Sequence, residues 1–236
     1  MNCPCCDKTE HTLFGSKNDH DLYKCLSCSL IFVDPMPSDD ALNDFYQNYH
    51  KTSQYTGKIE SKQRRARKRI KSVKKYTQGK RFIDIGCNAG FAVEAARSLG
   101  LDASGIDLDQ TSIEFARQYY PLANFQAMSI QELAKTGKTY DIIYCSEVIE
   151  HLPRVDDFVD SLYKILKQDG VILLTTPDIA HYSVAKKPIE WDAVRPPEHL
   201  LYFSKKSLGL LLKKHGFKRV KFKFNFKPTL KVIIRK

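Results

Sequence analysis

Apolar runs long enough to span a bilayer, about 20 residues, are absent from this 236-residue chain, which excludes a helical membrane protein. The start, Met1-Asn2-Cys3, is polar and lacks the basic and apolar regions of a signal peptide, so a cytoplasmic protein is expected. Cysteine is scarce beyond residue 28, and the total of seven is odd. A clustered, odd set points to a reducing compartment and to metal, and away from a disulfide framework. The full Gly-x-Gly-x-x-Gly fingerprint of dinucleotide sites is missing too. Acidic residues disappear after Glu198, while Lys and Arg recur up to Lys236.

What is present says most at Arg81-Phe-Ile-Asp-Ile-Gly-Cys-Asn-Ala-Gly90. An apolar run (Phe82, Ile83, Ile85) ends in a glycine turn and passes at once into an amphipathic segment, the pattern of a buried strand feeding a ligand-binding turn. Gly86 and Gly90 let the backbone approach a ligand. Asp84, inside the strand, repels a pyrophosphate but suits a ligand carrying an ammonium, a sulfonium and a ribose. Asn88 fits such a turn because Asn tolerates positive φ. Asp107 ends the next strand, about twenty residues on, where an acid can hold both ribose hydroxyls.

The alternation that follows is the one a doubly wound α/β sheet needs. Strands are expected over Leu101–Asp107, Asn124–Met128, Tyr140–Cys145 and Val171–Leu174. A helix from Pro153 to Gly170 carries Val155, Phe158, Val159, Leu162, Ile165 and Leu166 at helical spacing. Another covers Lys205–His215, and strands over Phe217–Phe226 and Leu230–Ile234 close the chain. These residues together resemble the class I S-adenosylmethionine (SAM) methyltransferases, whose first motif reads Asp/Glu-x-Gly-x-Gly-x-Gly. Asn88 stands where the middle glycine would be. The resemblance implies a Rossmann-like sheet of seven strands with an antiparallel last hairpin. It also implies SAM as cofactor, held by Asp84, Gly86, Cys87, Asn88, Gly90, Asp107, Leu108, Met128 and Cys145. Where the family commonly has an acid for the adenine amino group, this chain has Ser129.

Cys3-Pro-Cys-Cys6 and Cys25-Leu-Ser-Cys28 form two Cys-x2-Cys knuckles with eighteen residues between them. Four thiolates at this spacing read as a zinc ribbon with a closed, structural zinc; a redox pair is the competing reading, and Cys5 an alternative to Cys6. The ribbon is assigned to 1–33, a linker with an aromatic helix to 34–57, and the SAM-binding domain to 58–236. Ser38 is expected to cap that helix, which carries Leu42, Phe45, Tyr46 and Tyr49. A ribbon, a proline pair and an aromatic helix ahead of such a core resemble a broad bacterial group of zinc-ribbon SAM methyltransferases, whose members act on sugars, small natural products and lipids. The ribbon is expected to have almost no core of its own, so that stripping its zinc melts residues 1–32 and leaves the rest folded.

The formal net charge of +11 admits a nucleic-acid partner. Yet in the basic block Lys58–Lys75, the residues Ile59, Gln63, Ala66, Ile70 and Val73 recur at steps of four and three. That is an amphipathic helix whose Arg64, Arg65, Lys68 and Lys71 face solvent. No aromatic-interleaved RNA motif accompanies it. An anionic small substrate and RNA stand as alternative partners.

Chemistry is expected beyond the fourth strand, at Ser146-Glu-Val-Ile-Glu-His-Leu152. Methyl transfer to oxygen or nitrogen needs a base, and His151 and His199, with pKa near neutrality, are the candidates. Glu147, Glu150 and His151 share one face if the turn is helical. The Glu-x-x-Glu-His pattern resembles metal-assisted O-methyltransferases of quinone synthesis and small-RNA 2′-O-methyltransferases, which implies a magnesium-type site as the other role for the same four residues. The expected function is SAM-dependent O-methylation of a small metabolite. A zinc-ribbon RNA-base methyltransferase and a non-catalytic SAM-binding scaffold are the alternatives.

Overall fold

The computed structural model describes residues 2–38, 40–42, 45, 59–184 and 186–236. Three strands open it: β1 (His11–Lys17), β2 (His20–Cys25) and β3 (Ile31–Val33). The basic helix α1 (Ile59–Lys74) follows, burying Ala66, Ile70 and Val73 and exposing Arg64, Arg65, Lys68 and Lys71. A stripe of this kind is what holds a charged helix to a sheet, at roughly 1.5–3 kcal/mol per fully buried aliphatic side chain. Only the start of the expected aromatic helix is described. Ser38 accepts from the Ala41 amide at 3.2 Å, and Tyr46 and Tyr49 lie outside the described residues.

The core alternates β4 (Arg81–Ile85), α2 (Phe91–Arg97), β5 (Asp102–Asp107), α3 (Gln110–Tyr119), β6 (Asn124–Ala127), α4 (Ile130–Lys135), β7 (Tyr140–Ser146), α5 (Val155–Ile165) and β8 (Leu166–Pro177). After a short β9 (Leu201–Tyr202) come α6 (Lys205–Lys214), β10 (Arg219–Lys223) and β11 (Thr229–Arg235). Seven strands lie in the order β10-β11-β8-β7-β4-β5-β6. The five from β8 to β6 are parallel, and β11 runs antiparallel to both its neighbours, β8 and β10. This is the Rossmann-like sheet the sequence implies, with β11 slotted between β10 and β8. Buried on both faces, β7 and β8 read as near-continuous apolar runs.

One boundary differs. The fifth helix stops at Ile165, not at Gly170. Leu166 is extended and already pairs with Tyr140, and the register shifts before Val171 pairs with Ile142. The excursion over Lys167–Gly170 lets Lys167 meet Asp141 at 2.9 Å, an ion pair that helical spacing does not reveal.

The N-terminal strands form a second, antiparallel sheet, β1-β2-β3-β9. Its fourth strand comes from the loop after β8, with Ile31 opposite Tyr202 and Phe32 opposite Leu201. Leu22, Ile31, Phe32 and Val33 belong to the same contiguous core as Leu200–Phe203, Leu208 and Leu212. Cys5 donates to the Ser207 carbonyl at 3.2 Å, and Lys214 bridges Asp7 and Asp156. The four-cysteine unit is therefore built into the larger domain, because its short strands bury their apolar faces only against it.

Candidate active site and metal centre

The glycine turn takes the strained geometry its sequence calls for. Gly86, Asn88 and Gly90 have φ of 71°, 45° and 80°. A Cβ on Gly86 meets Val148 Cγ2 at 2.5 Å, and one on Gly90 meets Phe125 Cζ at 2.7 Å; the cradle requires glycine for space as well as for conformation. Asp107 faces the turn from the end of β5. Its carboxylate accepts from the Asn88 amide at 2.7 Å and from the Asp109 amide at 3.0 Å. The Met128 amide donates to the Asp107 carbonyl at 3.0 Å, and Leu108 beside it is 74% exposed.

Asp84 is buried beneath this rim, and burial, followed by the charge of Asp107, pushes its carboxyl well above the usual range. The donor chemistry fits SAM on two counts: a carboxylate with two oxygens on the rim, and a buried acid favoured by a nearby cation. Cys87 and Cys145 are buried. Cys145 sits between Ile85 and Leu174, so its thiol lies in the core, and Ser146 is the first half-exposed residue on that strand. Ser129 caps α4 in a reciprocal box with Glu132, a local role that accounts for a serine at that position.

Past β7 the chain makes a 3-10 turn over Ile149–His151. The turn and the loop before β9 bring His151 and His199 edge to face, ring centroids 4.7 Å apart. Ligand atoms of Glu150, His151 and His199 all lie within 4.8 Å of one another. Glu147, at φ 58°, instead accepts from Thr175 at 2.9 Å, and that three-residue set does not include it. Glu150 Oε2 accepts from Thr176 at 2.9 Å, while Oε1 is buried with no partner among the described residues. Burial, then the Glu147 charge, pushes Glu150 well above the usual carboxyl range.

The histidines differ from the expectation of near-neutral pKa. Burial first, then His199, holds His151 down to about 3. Burial first, then the Arg195 guanidinium, holds His199 down to about 4. His199 Nδ1 donates to the Ala193 carbonyl at 2.8 Å, leaving Nε2 to accept from Arg195 at 3.3 Å. Both rings are thus neutral at pH 7, and the His199 lone pair on Nε2 is turned to the Arg195 guanidinium. Such rings are weak proton acceptors, and His199 can ligate a metal only with Arg195 turned away.

Sequence reasoning missed Arg195, which carries no motif beyond its nearness to His199. It also missed Arg69, the one arginine of α1 that turns inward, donating to Tyr144 Oη at 3.2 Å and Ser146 Oγ at 3.0 Å. Arg69 lies one step from Ile70 on the buried stripe, and that offset is the only signal for it.

At the other end, Cys3, Cys6, Cys25 and Cys28 hold their sulfurs within 4.8 Å of one another, with Cys3–Cys28 at 3.5 Å and Cys6–Cys25 at 3.6 Å. Four sulfurs each ~2.3 Å from one tetrahedral zinc stand ~3.8 Å apart, so the set fits that ion. Cys5, bonded to Ser207, stands outside it.

The sheet order, the glycine cradle and the acid ending β5 are those of the class I SAM-dependent methyltransferase fold. The chain belongs to the methyltransferase-domain family, whose model matches residues 55–221. A ubiquinone biosynthesis O-methyltransferase of Mesorhizobium japonicum is 32% identical over 103 residues, a match covering 42% of this chain and 41% of that protein. The chain thus aligns with about two fifths of the length of this relative. In fold it is similar to the PH0226 protein from Pyrococcus horikoshii (TM-score 0.63, 17% identity, 80% of this chain and 98% of that one). It is also similar to a SAM dependent methyltransferase from Archaeoglobus fulgidus (TM-score 0.58, 18% identity, 82% and 99%). No helix among the described residues is long and apolar enough to cross a membrane.

Proposed function

We propose that the protein transfers a methyl group from SAM to an oxygen of a small metabolite. The observation that carries this reading is the Gly86–Gly90 cradle faced by Asp107 at the carboxyl edge of the sheet, where open α/β sheets bind their ligands, with Glu150, His151 and His199 gathered at the same edge beyond β7 and β8. When bound, SAM supplies a methyl group activated on a sulfonium, so the protein's main contribution is alignment and a dry pocket. Asp107 holds the ribose and the Gly86–Gly90 turn admits the methionine end. The named O-methyltransferase relatives support oxygen as the acceptor atom.

A second reading of the same cluster is a bound divalent cation. Glu150 Oε1, with no hydrogen bond of good geometry among the described residues and beside two neutral imidazoles, favours it, while the Glu147 carboxyl and the Arg195 guanidinium compete for the same groups. Two nitrogens to one oxygen is a donor set for zinc, manganese or iron, and a poor one for magnesium. In this reading Cys3, Cys6, Cys25 and Cys28 hold a structural zinc, which is separate from the cluster. The test is incubation of the purified protein with methyl-labelled SAM and a metabolite extract, with and without RNase. Label in a base-stable ether of a small molecule, insensitive to RNase, is the expected result; label confined to RNA overturns the reading. Activity lost to EDTA and restored by Mn²⁺, with the cysteine-bound zinc still present, assigns the cation.

A further inference from the structure

We propose that the groove between the N-terminal sheet and the core is the acceptor subsite, and that it holds the phosphate or diphosphate of a small acceptor molecule. This rests on the methyl-transfer reading and adds to it the chemistry of the acceptor.

The groove has a volume of about 590 Å³, inside the roughly 300–1,000 Å³ of small-molecule sites. Its two walls come from the two sheets. Phe14, Lys24 and Ile31 stand on one side, and residues around Asp178, Ser204 and Lys223 on the other. Four lysines line it, Lys24, Lys205, Lys206 and Lys223, against one acid, Asp178. Among the described residues none of the four has a carboxylate partner. Burial pushes the Asp178 carboxyl up, and the charge of Lys205 beside it pulls the other way.

The cations are all ammonium groups, with no arginine among them. An ammonium is a compact point charge, and lysines bind phosphate oxygens without the bidentate geometry an arginine imposes. Tyr182 and Phe224, 68% and 74% exposed, give the rest of the acceptor aromatic surface beside those charges. The groove and the cluster share no lining residue, and the end of β8 joins them. Asp178 follows the last residue of β8, and Leu230 in the groove wall pairs with Thr176, whose hydroxyl holds Glu150. A cavity of this size takes one small molecule, not a run of nucleotides.

The test titrates inorganic pyrophosphate into the full-length protein by calorimetry, beside Lys206→Gln, Lys206→Gln/Lys223→Gln and a control of equal charge change, Lys68→Gln/Lys71→Gln on α1. Lys206 is exposed, so its single variant reads the site even if the double variant unfolds. Expected is a loss of pyrophosphate affinity of about threefold in the single variant and about tenfold or more in the double one, with the α1 control near wild type. Affinity for S-adenosylhomocysteine should stay constant throughout. An equal loss in the control reduces the effect to net charge and overturns the proposal, as does no measurable pyrophosphate binding. Oligouridine binding tighter than pyrophosphate, and lost in the same double variant, overturns it in favour of RNA. Loss of S-adenosylhomocysteine binding by the wild-type protein counts against the methyl-transfer reading instead.

Discussion

The amide of Leu200 donates to the carbonyl of Glu150 at 2.8 Å, and the carbonyl of Leu200 accepts from the Val33 amide at 3.0 Å. One residue thus ties the turn that bears Glu150 and His151 to the last strand of the four-cysteine unit. His199 precedes it directly, and Tyr202 Oη donates back to the His199 carbonyl at 2.7 Å. The position of His199 is set from the N-terminal sheet as much as from the core, which gives the four-cysteine unit a part in shaping the candidate site.

Cys25→Ser should therefore act at a distance. Loss of one of four sulfurs is expected to release the zinc and loosen residues 1–33. Because β9 pairs only with β3, residues 193–203 should lose hydrogen-exchange protection in the same variant, while β4 and β7 keep theirs. Unchanged zinc content removes the metal assignment, and unchanged protection at 193–203 removes the coupling.

Asp107→Ala should cost roughly 2–4 kcal/mol of cofactor affinity, by the loss of two charge-assisted hydrogen bonds to the ribose and by release of the Asn88 and Asp109 amides that its carboxylate holds. Calorimetry with S-adenosylhomocysteine reads this directly. Equal affinity in variant and wild type means that the ribose is held elsewhere.

Gly86→Ala tests the cradle. The new methyl meets Val148 Cγ2 at 2.5 Å and the backbone stays at φ 71°, so about 1–3 kcal/mol of stability should be lost. Adding Val148→Ala removes the clash but not the positive φ, so thermal melts should recover only in part. Full recovery assigns the whole penalty to Val148.

Elements with strong periodicity and their own punctuation were legible in the sequence. The seven strands, the amphipathic α1, the Asn88 conformation and the four-sulfur set follow from local pattern, turn chemistry and spacing. What stayed hidden depends on pairing at long range. Leu201–Tyr202 is a two-residue strand with no pattern of its own, and only Phe32 and Ile31, far back in the chain, make it one. The early end of α5 comes from pairing of Leu166 with Tyr140. The neutral state of the two histidines follows from their burial against each other and Arg195, which residue types alone do not carry.

That neutral state sets a pH dependence. Both histidines have folded pKa values, about 3 and about 4, below the ~6.5 of an unfolded chain. The unfolded state therefore binds more protons below pH 6.5, and the stability the pair contributes is present above that pH and lost as pH falls toward 4 and then 3. Glu150 acts in the opposite sense, since its raised pKa lends stability that fades as pH rises through the folded value. Urea unfolding of wild type and of His199→Gln at pH 7 and pH 5 separates the contributions. Glutamine retains a donor for the Ala193 carbonyl but does not titrate. Between these pH values the wild type should lose about 1–2 kcal/mol more than the variant, with the titration of Glu150 common to both. Equal losses mean that His199 charges freely in the folded protein, and an imidazole of that kind is a proton acceptor near neutrality, which returns it to the role of base.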